Sequence, residues 1–340
     1  MRTALAIAVA LLAAAPPAGA AETLGRSAVT AGPVLAGGSV LWADAPSGRP
    51  RVLSGAPGRG PVVLERWPRA TTKDTGRTVA ALAGSASGVA AVVETCTFRL
   101  QSDFGFLGCA ERAFGGPRFA PLGGALPPRG LGRCPGPRAP VSVAAGDGVV
   151  AVAYNRVCQG IAQSAAARSH IVVRRGAARQ TIASTGARHV RIAGRYLAYL
   201  EGRRNPERAV LYDLERRARV RSVAGADLAA IDVQRNGTLA LVRSSGTRSC
   251  VSILRRGAAA ERRLACGLAT TRAAIAGGSV LVERAAPHGT RLVLLGAGGR
   301  RVLDRVPRRR TIGGFDLAGD RAVWSVGRVA GFQRIQLQRL

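Results

Sequence analysis

The chain has 340 residues and a formal net charge of +31, from 50 Lys and Arg against 19 Asp and Glu. Lys73 is the sole lysine, so the excess is almost entirely arginine, a bias that GC-rich codons produce as readily as selection for a basic surface. A chain that is 47% apolar, with 44 Gly and 18 Pro, is not low-complexity disorder and can bury a sizeable core, and six Cys are too few for a disulfide scaffold lacking one.

Residues 1–20 read as an export address. Arg2 supplies the positive start, Ala4 to Ala15 an uncharged apolar run, and Pro16-Pro17 its break. Ala18-Gly19-Ala20 then has the small-x-small pattern of a cleavage site, which places cleavage after Ala20. The apolar run is too short to span a bilayer. No Cys adjoins the site to carry a lipid. Among later segments the best apolar candidate, Thr78 to Val93, is interrupted by Gly84, Ser85, Ser87 and Gly88. An exported chain without a transmembrane segment is expected, and in that setting six Cys read as three disulfides.

Seven times along the remaining chain a small-residue turn leads into a short apolar strand. Ala36-Gly-Gly-Ser-Val-Leu-Trp42, Gly84-Ser-Ala-Ser-Gly-Val-Ala-Ala-Val-Val93 and Ala145-Gly-Asp-Gly-Val-Val-Ala-Val152 come first. Ala193-Gly-Arg-Tyr-Leu-Ala-Tyr199, Arg235-Asn-Gly-Thr-Leu-Ala-Leu-Val242, Ala276-Gly-Gly-Ser-Val-Leu-Val282 and Ala318-Gly-Asp-Arg-Ala-Val-Trp324 follow. After most of these comes a second hairpin, such as Ile171-Val-Val173 turning into Gln180-Thr-Ile182, or Leu292-Val-Leu-Leu295 turning into Arg301-Val-Leu303. Four short strands per unit of about 40–50 residues predict an all-β, seven-bladed propeller of four-stranded antiparallel blades.

One segment has a competing pattern. Residues 205–218 carry a helix-like start and spacing. In repeat register, Ala209–Asp213 is instead a third strand and Arg219–Val223 a fourth, which is the expected reading because a helix would delete half a blade. The last unit supplies only three strands, so residues 23–30 are expected to complete its sheet and close the ring.

These repeats resemble the TolB-like and WD-repeat-like propellers found in exported bacterial proteins. The likeness rests on Ala145-Gly-Asp-Gly148 before the strand at Val149 and on Tyr212-Asp-Leu214 in a third strand. The chain lacks the Pro of the family's Ser-Pro-Asp-Gly turn and has no Gly-His or Trp-Asp pairs in its units. The resemblance implies fold, and no functional residue carries over.

Cys250 and Cys266 flank a hairpin symmetrically and are expected to pair; a loop of this length contributes about 3 kcal/mol in the chain-entropy model. Cys96 and Cys109 bracket a loop, and Cys134 and Cys158 flank the third unit, with 134–158 or 96–158 as possible partners. Residues 97–138 form an insertion that holds Phe98, Phe104, Phe106, Phe114 and Phe119 among several arginines. Such a loop is either a recognition surface or a local apolar core.

No catalytic constellation, metal-ligand spacing or cofactor motif is evident. At the ends of the second strands stand Asp44, Glu94, Asn155, Glu201, Arg243, Glu283 and Ser325, a polar ring that serves either Arg-paired strand ends or a cationic ligand and acid–base work at the channel mouth. Arg174-Arg175, Arg216-Arg217, Arg255-Arg256, Arg262-Arg263 and Arg300-Arg301 lie in or beside the turns between third and fourth strands, on the opposite face. They are either solvated turn charges or a basic rim for polyanions. The expected function is that of an exported, monomeric, non-enzymatic binding or scaffold propeller. Its partner would be a protein or an anionic envelope polymer rather than nucleic acid, which is not accessible there. The alternative is a propeller hydrolase or lyase using carboxylates near the central axis.

Overall fold

The computed structural model describes residues 20–69, 75–85, 88–101, 104–116, 119–122, 138–156, 169–202, 206–246, 248–328 and 331–340. The export address, residues 1–19 of it, and Cys134 and Cys158 lie outside these residues.

The recurring turn explains the first hairpin of each unit. Gly37, Gly148, Gly194, Gly277 and Gly319 all have positive φ, which a tight two-residue hairpin turn requires and glycine adopts without strain. The strand after each turn is buried on both faces: Tyr196 to Glu201 are buried without interruption, as are Leu239 to Val242. Both faces of that strand meet a neighbouring blade, so its sequence is a continuous apolar run rather than an alternating one.

Among the described residues, twenty-eight strands form seven four-stranded antiparallel sheets. Blade 1 is β2 (Val29–Ala36), β3 (Ser39–Asp44), β4 (Arg51–Ala56) and β5 (Arg59–Arg66). Blade 2 is β6 (Thr75–Ser85), β7 (Gly88–Gln101), β8 (Phe104–Gly115) and β9 (Ala120–Pro121). Blade 3 is β10 (Arg138–Gly146), β11 (Val149–Arg156), β12 (Ser169–Arg175) and β13 (Ala178–Ser184). Blade 4 is β14 (Arg188–Ala193), β15 (Tyr196–Glu201), β16 (Arg208–Asp213) and β17 (Ala218–Ala224), so the segment with the helix-like pattern is two strands. Blade 5 is β18 (Leu228–Val233), β19 (Leu239–Ser245), β20 (Arg248–Leu254) and β21 (Arg262–Cys266). Blade 6 is β22 (Leu268–Ala276), β23 (Ser279–Ala286), β24 (Gly289–Gly296) and β25 (Gly299–Pro307).

Blade 7 combines β26 (Thr311–Ala318), β27 (Arg321–Gly327) and β28 (Gln333–Arg339) with β1 (Glu22–Ser27) from the other end of the chain. The closing strand is shorter than the expected 23–30. The Ser27 hydroxyl donates to Asp44 at the base of blade 1, the chain crosses over at Ala28, and Val29 already pairs with Asp44 in blade 1. Seven clusters of buried apolar side chains separate the blades, one at each junction. Between blades 7 and 1, for example, Leu24, Trp42, Ile335 and Leu337 pack together.

The expected insertion is in part a lengthened hairpin. β7 and β8 continue their pairing out to Gln101 and Phe104, so Cys96 and Cys109 face one another across a ladder instead of bracketing a loop. Phe98, Phe104 and Phe106 are backbone positions in this extension. Phe114 and Phe119 pack on Trp67, with ring centroids 5.3 and 5.9 Å away, in the cluster between blades 1 and 2. Cys250 and Cys266 are register partners on β20 and β21 and form a disulfide.

Candidate functional site

An antiparallel meander puts the turns between strands 1–2 and 3–4 of every blade on one face, here the upper, and the strand 2–3 turns and blade-to-blade links on the lower. The first strand of each blade faces the axis. All seven contribute to an axial cavity of about 540 Å³ that opens upward among the turns at Gly37, Asp147, Arg235 and Gly319.

Three carboxylates line this cavity: Asp147 at the turn of blade 3, and Asp232 and Asp316 within first strands. Asp232 and Asp316 hold the same place in blades 5 and 7, two residues before the pair that closes the turn: Gln234 with Thr238, and Ala318 with Arg321. Counting back in the same way, the other blades present Val34, Ala83, Ala144, Arg191 and Ala274. One ring therefore carries an arginine, two acids and four apolar residues.

The acids have a structural task. The inner edge of a first strand has N–H groups that no further strand can take, and a buried N–H requires an acceptor. Asp232 Oδ2 accepts from Ile275 N of blade 6 at 2.8 Å, and Asp316 Oδ2 from Leu35 N of blade 1 at 2.8 Å. The Oδ1 atoms accept from Val233 N and Leu317 N, each at 2.9 Å. Burial pushes the Asp232 carboxyl up to about 6, against the opposing pull of Arg191, whose Nε lies 3.8 Å from Oδ1. Burial raises Asp316 as well.

Above this ring the mouth is tied from blade to blade. Asp147 of blade 3 accepts from Gly194 N of blade 4 at 2.8 Å and pairs with Arg235 of blade 5. Arg321 of blade 7 donates to the Gly37 carbonyl of blade 1.

The polar ring read from the sequence lies elsewhere. None of its described side chains lines the axial cavity; they stand at the lower ends of the second strands, engaged mostly within their own blades. Asp44 is buried and accepts from Arg51 Nε at 2.7 Å. Glu201 is buried and takes both Arg219 Nη atoms at 2.9 and 3.1 Å. Arg243 joins Asp227 and Glu261, holding the Glu261 carboxyl below its ordinary range. Burial raises Glu283, with a Thr290 hydrogen bond opposing it, and Ser325 is fully buried. Glu94 is half-buried, with Glu111 as its register partner, and Asn155 is placed only as backbone opposite Ala139. The signal that would have found the axial acids is a lone Asp between apolar residues just before the turn, as in Ile231-Asp-Val233 and Phe315-Asp-Leu317.

The doubled arginines occupy the upper face, the one on which the cavity opens. They form an arc over blades 3 to 6, and Arg175, Arg216, Arg217, Arg255, Arg256, Arg262, Arg263 and Arg300 are exposed, with Arg174 and Arg301 half-buried. Asp213, the Asp of the Tyr-Asp-Leu motif, is buried beneath this arc. It accepts from Glu215 N and Arg216 N at 3.0 and 3.1 Å and lies 3.3 Å from Arg195, so it shapes the turn that presents Arg216 and Arg217.

No protein-family model and no curated protein matches the chain. Among solved structures, puromycin hydrolase superposes with a TM-score of 0.52 at 14% identity, over 92% of this chain and 51% of that one, so this chain spans about half its length. TolB from Acinetobacter baumannii gives 0.41 at 12% identity, covering 78% of this chain and 80% of that one. The β-propeller domain of the Trilobed protease from Pyrococcus furiosus gives 0.41 at 10%, covering 76% and 93%. At such identities the likeness is one of fold, and with the seven closed sheets it shows what the chain is: a seven-bladed β-propeller.

Proposed function

We propose that the protein is an exported binding propeller whose upper face takes an anionic polymer of the cell envelope. The observation that carries this reading is the shared face: an arc of exposed paired arginines over four consecutive blades flanks the mouth of the axial cavity. Guanidinium groups spaced along a rigid rim match a phosphate-bearing chain by releasing its counterions. Binding to polyphosphate is expected to weaken steeply with salt. Replacing Arg255 and Arg256 with Ala should lower the slope of log affinity against log salt by about 1.5, since each neutralised phosphate contributes about 0.7–0.9. A salt-independent affinity, or a slope unchanged in that variant, would remove the electrostatic reading.

Export rests on the N-terminal address and agrees with the Cys250–Cys266 disulfide. Cleavage after Ala20 leaves Ala21 as the first residue, directly before β1 at Glu22. Protein recovered from the envelope or medium should begin at Ala21 by intact mass; recovery with residues 1–20 attached would count against a cleaved signal.

A second reading draws on Asp232, Asp316 and Arg191, two acids raised by burial and one guanidinium in a single axial ring, which is the equipment of acid–base hydrolysis or elimination. It requires a substrate whose turnover, but not its binding, disappears in Asp316→Asn.

A further inference from the structure

The lower face of blade 7 carries a second concentration of arginine with a different build. Between β27 and β28, Arg328, Gly331 and Phe332, with β1, β28 and the link from β25 to β26, wall a hollow of about 460 Å³. Arg26 of β1, Arg334 of β28, Arg310 of the link and Arg328 after β27 all line it, and among the described residues no carboxylate does. Arg310 and Arg334 also line an adjoining hollow of about 260 Å³. There the one acid, Asp304, is already engaged: Oδ2 accepts from Trp324 Nε1 at 2.8 Å and Oδ1 from Arg305 N at 2.7 Å.

This differs from how the protein treats its other structural arginines. Arg51, Arg219 and Arg243 each hold a carboxylate, whereas none of these four has one within 4.0 Å among the described residues. Four like charges around one concavity repel each other, and the cheapest relief is an oxyanion that accepts from several at once. The hollow also has an apolar wall. Phe332 is 63% exposed, the highest value among the described large hydrophobic residues, and the Arg26 guanidinium stacks over its ring at 5.6 Å from the centroid. With one face of the ring held by a cation, the rest is left to an organic group that arrives with the anion.

We propose that this hollow binds a phosphate ester, its phosphoryl oxygens held by Arg310, Arg328 and Arg334 and its organic part packed on Phe332. The site lies on the face opposite the arginine arc and does not depend on the polymer reading. Phenyl phosphate and inorganic phosphate, titrated into the protein at low ionic strength by calorimetry, serve as probes. Phenyl phosphate should bind saturably with one site and more tightly than inorganic phosphate. The pair R310A/R334A, both exposed side chains, should weaken it at least tenfold. F332A should erase the preference for the phenyl ester while leaving inorganic phosphate unchanged. R208A/R248A, two exposed arginines at the lower ends of blades 4 and 5, should leave both probes unaffected, which separates this site from general surface charge.

Vesicles containing phosphatidylglycerol distinguish the source of the ester. Binding to vesicles together with phenyl phosphate places a lipid headgroup in the hollow, and binding of phenyl phosphate alone points to a soluble or polymeric ester. Vesicle binding without saturable phenyl phosphate binding overturns the proposal, because surface charge then suffices. Equal losses in R310A/R334A and R208A/R248A overturn it for the same reason.

Discussion

Removing residues 1–27 is expected to destroy the cooperative fold and leave an aggregating protein. Among the described residues β1 alone holds the outer edge of blade 7, through five register pairs with β28 from Glu22–Leu337 to Ser27–Gln333. Leu24 is buried between blades 7 and 1 against Trp42 and Leu337, and loss of one such side chain costs about 2–5 kcal/mol. The fit around Trp42 leaves little room to compensate: a Cβ at Gly25 would stand 3.2 Å from its ring, and one at Gly55 2.9 Å. Glu22 adds a further tie, accepting from Gly58 N of blade 1 at 2.9 Å. Deletion takes away all of this and exposes the β28 edge, a template for pairing with a second chain. Light scattering and thermal unfolding of the truncated protein decide the matter. A monomer that melts within a few degrees of the parent would show that the ring closes without β1.

Much of this closure was legible in the sequence, and the reason is physical. Hairpin turns that need positive φ select small residues, and strands buried on both faces select continuous apolar runs, so both leave local marks that recur at Ala36-Gly37, Ala193-Gly194, Ala276-Gly277 and Ala318-Gly319. The missing fourth strand of the last unit follows by counting. The site was less legible because what sets a polar residue's role is its partner in space. Asp44 and Glu201 look like a ring when aligned by repeat, yet each is given to an arginine of its own blade, Arg51 and Arg219. Asp232 and Asp316 sit inside apolar strands, and their partners, Ile275 N and Leu35 N, belong to the next blade, about 40 residues on or across the ring closure. A lone Asp in an apolar first strand marks the carboxylate, but nothing local in the sequence names the N–H of the next blade that it serves. The hollow at Phe332 joins Arg26 to Arg310 and Arg334 only because the ring closes, so a repeat-by-repeat reading passes over it.

The axial acids give stability a pH dependence of unusual sign. Asp232 is raised to about 6 in the folded protein from an ordinary value of 3.8, so the folded state binds this proton more tightly than the unfolded chain does. Below both values the group is protonated in either state and contributes nothing. Between them the unfolded chain has released the proton and the folded protein has not, so stability falls as pH rises by about 1.4 kcal/mol per pH unit. Above pH 6 the loss is complete, at about 3 kcal/mol from this residue. Carboxylates such as Glu261, held low by Arg243, work in the opposite direction and lose their contribution as pH falls, so the total curve mixes both. Asp232→Asn isolates the axial part. The amide oxygen still accepts from Ile275 N, and the bond to Val233 N is lost at a pH-independent cost of about 1 kcal/mol. The difference in unfolding free energy between variant and parent should therefore shift by about 2–3 kcal/mol in favour of the variant between pH 4 and pH 7. Arg191→Ala should move the same transition upward, because the Arg191 charge opposes the effect of burial on Asp232. A flat difference across that range would mean that the carboxylate is ionised in the ring without penalty, and that the first strands are joined at the axis by a charge that the surrounding N–H groups fully solvate.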